Sequence, residues 1–190
     1  MTATPGADAW TLRGSVVTAA LCPGARRPVD VDHLASELAT SDLAQLETLA
    51  RTVAAHPDET GPFRALEVES SEVIWANTPT PGLRLHLRAS APAHDAHDDA
   101  RAPAATLQVD LGVGDPMVVP PRPLPLLGVG PVRACAPETL FGWKLHGLCE
   151  HGRGRWRVKD LVDLDLLWRH APLDPTALRA AIELAFSSRD

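Results

Sequence analysis

The chain has 190 residues, a formal net charge of −6 and a hydrophobic content of 45%, which is enough apolar sequence to build a buried core. The acidic balance argues against a broad basic groove for duplex DNA, and the three cysteines form no CxxC pair and no disulfide framework. The N-terminal residues lack a signal-peptide pattern, and no stretch has the roughly 18 consecutive apolar residues of a membrane span, so we expect a cytoplasmic protein without a membrane partner.

Alternation of apolar and polar residues marks the strands in the first two thirds of the chain. Strands are predicted at the start of 10–21 and over 29–34, 64–75, 82–90 and 105–113. A short helix is expected after the first strand, and leucines at helical spacing predict a second helix over 40–55, with Thr40, Ser41 or Asp42 as its cap. The polar residues 91–104 are expected to form a mobile loop.

The last third of the chain is predicted to be helical. The proline-rich residues 115–132 indicate an extended connector, and three helices are expected over 136–152, 155–170 and 174–189. The second of these helices carries an apolar stripe made of Val158, Leu161, Val162, Leu164 and Trp168. The fold class is therefore α+β, with a mixed-sheet core and flanking helices over 1–125 and a C-terminal helical lobe over 126–190.

A pair of carboxylates marks the predicted strand 29–34. Asp30 and Asp32 are two residues apart, so they project from the same face of a strand. Their hard oxygen atoms suit Mg²⁺ or Mn²⁺, and such sites usually take a third carboxylate from a neighbouring strand. Asp110 lies on the polar side of strand 105–113 and has the alternation needed for that role. The alternative interpretation of the pair is a solvated strand end.

Two further features fit a site that binds phosphate. Gly14 and Ser15 stand at a strand-to-helix turn, where a glycine lets a phosphate approach backbone N–H groups closely. The chain has 16 arginines but only two lysines, Lys144 and Lys159. Where arginine is so strongly favoured, a retained lysine indicates a need for a compact ammonium, although chance also explains it.

Three segments together resemble the AbiEii/AbiGii toxin family of nucleotidyltransferases. LRGSVVTAALCPGARRPVDVDHL is similar to the first motif of the family, and LQVDLGVGDPMVVPP is similar to its second acidic segment. PETLFGWKLHGLCEHGRGRWRVKDLVDLDLL is similar to the C-terminal signature, which is the most specific part. The resemblance spans about residues 11–170. It implies a polymerase-β-like nucleotidyltransferase fold, transfer of a nucleotide from an NTP to RNA such as tRNA or to protein, and a cognate antitoxin.

The resemblance also implies roles for individual residues. Asp30, Asp32 and Asp110 match the catalytic carboxylates that hold Mg²⁺ or Mn²⁺, and Gly14 and Ser15 match the residues that hold the phosphates of the NTP. Lys144 would face the triphosphate. Asp160 or Asp163 would orient the triphosphate or the acceptor, and Lys159 would bind the nucleotide. Apart from the resemblance, Arg27 forms with Arg26 either a phosphate clamp, and so a nucleotide contact, or a charged loop. Asp110 is also a candidate for deprotonating the acceptor.

Two other functions remain open from the sequence. A catalytically decayed protein of this fold would act by binding a partner or a nucleotide, and a small-molecule nucleotidyltransferase would modify an antibiotic-like acceptor. Gly142 within the Lys144 helix indicates close packing or a nearby ligand, because glycine costs about 1 kcal/mol relative to alanine there. Arg153, Arg155 and Arg157 with Trp156 form either a contact for an RNA acceptor or a solvated turn.

Overall fold

A mixed β-sheet forms the centre of the protein. The computed structural model describes residues 10–35, 42–56, 65–78, 80–90, 105–150 and 157–188. The strands within these ranges are β1 (Trp10–Arg13), β2 (Val31–Ala35), β3 (Ala65–Ile74), β4 (Gly82–Ser90), β5 (Ala105–Val113), β6 (Arg122–Leu126) and β7 (Gly130–Ala134). They form one seven-stranded sheet in the order β3-β4-β5-β2-β1-β7-β6. Strand β2 is parallel to β5, and β1 is parallel to β7, while the other neighbours are antiparallel.

Helices flank this sheet and then form the C-terminal part of the chain. The described helices are α1 (Ser15–Leu21), α2 (Leu43–Ala54), α3 (Pro137–Glu150), α4 (Val158–His170) and α5 (Pro175–Ser187). The Asp42 side chain accepts a 2.8 Å hydrogen bond from Gln45 N and caps α2, as the sequence predicted. Asp174 caps α5 in the same way through Ala177 N, with Pro175 in the first turn. The α+β class and the helical C-terminal part are confirmed.

Two apolar clusters hold the helices on the sheet. Helix α2 packs on β3 and β4, and the apolar cluster there includes Leu83, Leu85 and Leu87 of β4, which alternate with polar residues and point to one face of the sheet. The second cluster joins β1 to α1, α3 and α4, and its buried members are Leu12, Val17, Cys22, Leu124, Ala134, Cys135, Leu140 and Leu167. Because the first cluster covers one face of β4 and β5, the alternating polar residues of these strands lie on the other face.

The predicted connector over 115–132 is wrong for its second half. Residues 122–134 form the β6–β7 hairpin, and β7 joins the sheet beside β1 through the pair Leu12↔Ala134. Prolines Pro123 and Pro125 are compatible with β6 because it is an edge strand, where only one side needs hydrogen-bond donors. The predicted boundary between 125 and 126 falls inside β6, and the division into two domains stays a prediction.

The predicted apolar stripe of α4 is confirmed for Leu164 and wrong for its other four members. The residues of α4 that are buried are Asp163, Leu164 and Leu167, while Val158, Leu161, Val162 and Trp168 are exposed. The helix turns Asp163 inward because this carboxylate pairs with Lys144 of α3, and the face next to Asp163 is therefore the one that packs. Helical periodicity alone treats an aspartate as a surface residue and so predicted another face.

Helices α3 and α5 approach each other at Gly142. A Cβ atom at Gly142 would lie 2.7 Å from the carbonyl oxygen of Ala181, whereas a Cβ atom at Gly147 of the same helix would meet nothing within 4 Å. We expect Gly142→Ala to lower the unfolding free energy by about 1 to 3 kcal/mol, because two backbones must separate. Gly147→Ala should instead raise it by up to about 1 kcal/mol through helix propensity. Chemical denaturation of the two variants measures both effects, and equal effects would contradict the close contact.

Two earlier expectations concern residues that lie outside the described ranges. These are the loop at 91–104, and the residues Arg153, Arg155 and Trp156 of the basic cluster. None of the described helices combines the length and the apolar content needed to cross a bilayer.

Candidate active site

Five charged residues form one row across five neighbouring strands. Arg13 of β1 pairs in register with Asp32 of β2, and Asp32 pairs with Asp110 of β5. Asp110 in turn pairs with Arg84 of β4, and Arg84 pairs with Glu72 of β3. Residues directly opposite each other in a sheet point to the same face. The row therefore places two carboxylates side by side at its centre, with an arginine on either flank.

Asp110 is the most tightly held member of the row. It is buried, and both of its carboxylate oxygens accept hydrogen bonds from Arg84, from Nε to Oδ1 and from Nη2 to Oδ2, each at 2.8 Å. The side-chain amide of Gln108 donates a third bond to Oδ1 at 3.1 Å. A two-point arginine–carboxylate pair is among the stronger ionic contacts in proteins because its geometry is fixed as well as its charge.

Asp32 is in a different electrostatic environment from Asp110. Burial raises the pKa of Asp32 to about 6, Arg13 and Lys144 lower it, and the charges of Asp30 and Asp110 raise it further. Asp32 is thus a carboxylate kept in a partly dehydrated position next to two other carboxylates. Such an arrangement is unfavourable for folding, and a cation that binds among the three acids relieves it.

The turn after β1 places its backbone directly against Asp32. Gly14 has a φ of 74°, a conformation that side chains disfavour, and a Cβ atom there would lie 2.0 Å from Asp32 Oδ2. The next residue, Ser15, donates a hydrogen bond from Oγ to Asp30 Oδ1 at 3.3 Å. Both residues of the Gly14-Ser15 turn therefore contact the carboxylate pair, and only glycine fits at the first position.

Lys144 is fixed by two acids of the neighbouring helix. Its Nζ atom lies 2.7 Å from Asp163 Oδ2 and 3.4 Å from Asp160 Oδ1, so α4 holds the lysine of α3. The Asp163 side chain is 1% exposed and that of Lys144 is 10% exposed. Arg26, in the loop after α1, has its Nε atom 4.0 Å from the other Asp163 oxygen. The lysine is therefore held in place before any ligand arrives.

A cavity of about 410 Å³ connects the Gly14 turn with Lys144 and Asp160. Its walls include Trp75 and Trp143, and the Arg13 guanidinium lies 5.6 Å from the centre of the first ring and 5.3 Å from the second. Arg13 also donates from Nη1 to Asp115 Oδ2. The cavity therefore combines aromatic surface with cationic groups, which are the features that suit a nucleoside and its phosphates.

Comparison with known proteins identifies the family. A family profile described as "Nucleotidyl transferase AbiEii toxin, Type IV TA system" matches residues 1–190. The chain belongs to the AbiEii nucleotidyltransferase toxin family. No curated protein sequence matches it at a significant level. The family resemblance inferred from the three sequence motifs is thereby confirmed.

Two solved structures have the same fold as this AbiEii-family protein. JHP933 from Helicobacter pylori matches with a TM-score of 0.50 and 18% identity over 87% of this chain and 61% of that one. An antigenic nucleotidyltransferase-like protein from Paracoccidioides brasiliensis matches with a TM-score of 0.51 and 13% identity over 95% of this chain and 80% of that one. This chain thus spans less than two thirds of JHP933. The likeness supports the nucleotidyltransferase-like fold.

The donor chemistry of the AbiEii-family site fits a divalent cation. Asp30, Asp32 and Asp110 offer carboxylate oxygens, which are the ligands that Mg²⁺ and Mn²⁺ prefer. The pKa of Asp32 is raised chiefly by burial, and the charges of Asp30 and Asp110 add to that rise. Within the described residues, no three His, Cys, Asp or Glu side chains are grouped closely enough to hold one ion as they stand. The Arg84 contact to both oxygens of Asp110 is one reason, since it directs the third carboxylate to an internal partner.

The structure brings most of the predicted site residues of this AbiEii-family protein together, but not all. Those near the row of charges or the cavity are Gly14, Ser15, Asp30, Asp32, Asp110, Lys144, Asp160 and Asp163. Arg27 and Lys159 are exposed and do not line the cavity. Their roles as nucleotide contacts stay predictions.

Sequence reasoning missed several residues of the site. Arg13 and Arg84 in the row of charges, and Trp75, Trp143 and Asp115 at the cavity, were not predicted. Arg13 had one available signal, since it immediately precedes Gly14. The importance of Arg84 depends on its register opposite Asp110, which no local pattern contains.

Proposed function

We propose that this protein is a Mg²⁺- or Mn²⁺-dependent nucleotidyltransferase that moves a nucleotide from an NTP to an RNA acceptor such as tRNA, or to a protein acceptor. The observation that carries the proposal is the contact of the Gly14 backbone with Asp32. This contact supports the proposal, because a backbone turn that could bind a phosphate lies beside a carboxylate that could hold a metal ion. The family description further supports a role as the toxin of a toxin–antitoxin system, with a cognate antitoxin as partner.

Two acids of the row, together with the neighbouring Asp30, would act on the reacting phosphate. Asp30, Asp32 and Asp110 are the proposed ligands, and the cation they bind would neutralise charge on the attacking and leaving oxygens during an in-line displacement. Ser15 keeps Asp30 in place through its hydroxyl, and Arg84 does the same for Asp110. Asp30 and Asp110 are thus oriented before the reaction begins, which lowers the free energy needed to reach the transition state.

The cationic groups at the cavity would hold the triphosphate. Lys144 lines the cavity, and Asp160 and Asp163 fix its ammonium, so little side-chain entropy is lost when a phosphate binds. Arg13 lines the same cavity on the side of Asp32. Positive charge held in position where negative charge accumulates on the leaving pyrophosphate stabilises the transition state.

Trp75 is the proposed stacking surface for the base of the NTP. It is exposed and lines the cavity, and we expect Trp75→Ala to weaken NTP binding by roughly tenfold, in line with one base–indole stack. Trp168→Ala is the matched control, because Trp168 is also an exposed tryptophan but lies on α4 outside this cavity. Calorimetric titration with each NTP measures both variants. Equal losses for the two variants would contradict stacking at Trp75.

The test of the proposed function is a transfer assay. The protein is incubated with each α-³²P-labelled NTP, Mg²⁺, total tRNA and cell protein, with and without a chelator. Label that appears on RNA or protein, requires the metal and is lost in Asp32→Asn supports the proposal and identifies the base. Label on an added aminoglycoside alone would favour a small-molecule enzyme. NTP binding without any transfer would favour a decayed enzyme that acts by binding.

A further inference from the structure

Arg84 and Gln108 use up most of the acceptor capacity of Asp110. Oδ1 accepts from Arg84 Nε at 2.8 Å and from Gln108 Nε2 at 3.1 Å, while Oδ2 accepts from Arg84 Nη2 at 2.8 Å. A carboxylate oxygen has two lone pairs. Only one lone pair, on Oδ2, is therefore left over from these three bonds. Asp110 can offer one oxygen to a cation while the guanidinium stays in place.

Arg84 is the arginine that balances the charge of Asp110, since Arg13 is paired with Asp115 outside the row. A divalent ion bound between Asp32 and Asp110 would have the Arg84 guanidinium on the far side of Asp110. Two positive charges that are separated only by one carboxylate repel each other strongly in a partly buried site. Arg84 therefore opposes the binding of a free cation.

The Arg84 guanidinium has a second carboxylate within reach. The Nη1 atom of Arg84 lies 3.6 Å from Oε1 of Glu72. Glu72 is on β3, and Asp110 is on β5, the opposite neighbour of β4. The Glu72 side chain is 56% exposed and that of Arg84 is 32% exposed, so this side of the pair faces solvent. The guanidinium can thus shift toward Glu72 without losing all of its ionic contacts when positive charge arrives at Asp110.

We infer that Arg84 is a positioning residue that serves as the internal counter-ion of Asp110 and keeps the affinity of the site for a free divalent cation low. The phosphates of the nucleotide supply the missing negative charge, so that cation and nucleotide bind together. This inference rests on the proposed function, because it assigns the same carboxylates to the metal. As a consequence, the site holds no metal ion until an NTP binds, because each ligand raises the affinity of the site for the other.

The test is a titration of Mn²⁺ in the absence of nucleotide, with free Mn²⁺ followed by electron paramagnetic resonance. We expect Arg84→Gln to bind Mn²⁺ about tenfold more tightly than the unaltered protein, because one opposing charge is gone. Arg84→Lys keeps the charge and should stay within about threefold of the unaltered protein. Arg88→Gln is the matched control, since Arg88 lies on the same strand and pairs with Glu69 rather than with Asp110.

Unchanged or weaker Mn²⁺ binding by Arg84→Gln would overturn the inference, as would Arg84→Lys behaving like Arg84→Gln. If Arg84→Gln does not fold, the unaltered protein still tests the inference. Mn²⁺ binding is compared with and without the α,β-methylene analogues of the four NTPs, and equal affinity overturns the inference. Failure of the proposed function would give another result. In that case Asp32→Asn would bind Mn²⁺ and the analogue with the same affinity as the unaltered protein.

Discussion

Replacing Asp32 with asparagine is expected to abolish nucleotide transfer and, at pH 8, to make the protein more stable. The pKa of Asp32 is raised from 3.8 to about 6, chiefly by burial. Above pH 6 the folded protein therefore holds a charged carboxylate that is better solvated in the unfolded chain. The difference in pKa corresponds to about 2 to 3 kcal/mol of unfolding free energy, which asparagine restores. Transfer should fall by more than about a hundredfold, because a metal ligand is lost.

The gain in stability of Asp32→Asn should depend on pH in a defined direction. A raised pKa means that the folded state binds the proton more tightly than the unfolded state does, so the unaltered protein becomes more stable as the pH falls from about 6 to about 4. The advantage of the variant should thus be full above pH 6 and vanish near pH 4. Urea denaturation at several pH values, with a chelator present, measures this.

Asp165→Asn is the control for Asp32→Asn. Asp165 is an exposed carboxylate of α4 that pairs with Arg169, and its loss should change the unfolding free energy by less than about 0.5 kcal/mol at every pH. Transfer should be unaffected. A loss of stability in Asp32→Asn at all pH values, or a gain that is independent of pH, would contradict the electrostatic account of Asp32.

Replacing Lys144 with methionine is expected to lower both transfer and stability, whereas the same change at Lys159 should leave stability unchanged. Among the described residues, Lys144 is the cation nearest to Asp163, which is almost fully buried, and its removal leaves that carboxylate with Arg26 at 4.0 Å. Removing one partner of a buried ion pair costs about 3 kcal/mol or more. Transfer should fall at least about a hundredfold, because charge that stabilises the transition state is lost. Lys159 is exposed and is the only other lysine of the chain.

A double variant separates the two roles of Lys144. Lys144→Met with Asp163→Asn removes the unpaired buried charge, so at least about half of the lost stability should return. Transfer should not return, because the ammonium that faces the cavity is still missing. Denaturation curves and the transfer assay on the single and double variants measure this. Recovered transfer in the double variant would show that Lys144 acts only by holding the fold together.

The sequence by itself determined the local features of this protein. Strand β5 was predicted over its full extent, and the caps of α2 and α5 were predicted, because alternation and capping depend on residues within one turn or one strand. The Asp30-Val31-Asp32 pair and the Gly14-Ser15 turn were visible for the same reason. The acids were found from their spacing of two residues, although β2 begins at Val31 and Asp30 directly precedes it. The turn was found from the conformation that only glycine adopts readily.

Only the tertiary structure decided which distant residues meet. The β6–β7 hairpin, the inward face of α4 and the positions of Trp75 and Trp143 at the cavity were not contained in any local pattern. The place of Arg84 opposite Asp110 depends on the register of two strands, and a shift of one residue would point Arg84 to the other face. That register is set by the leucines packed under α2, so the apolar core on one side of the sheet determines the charged row on the other.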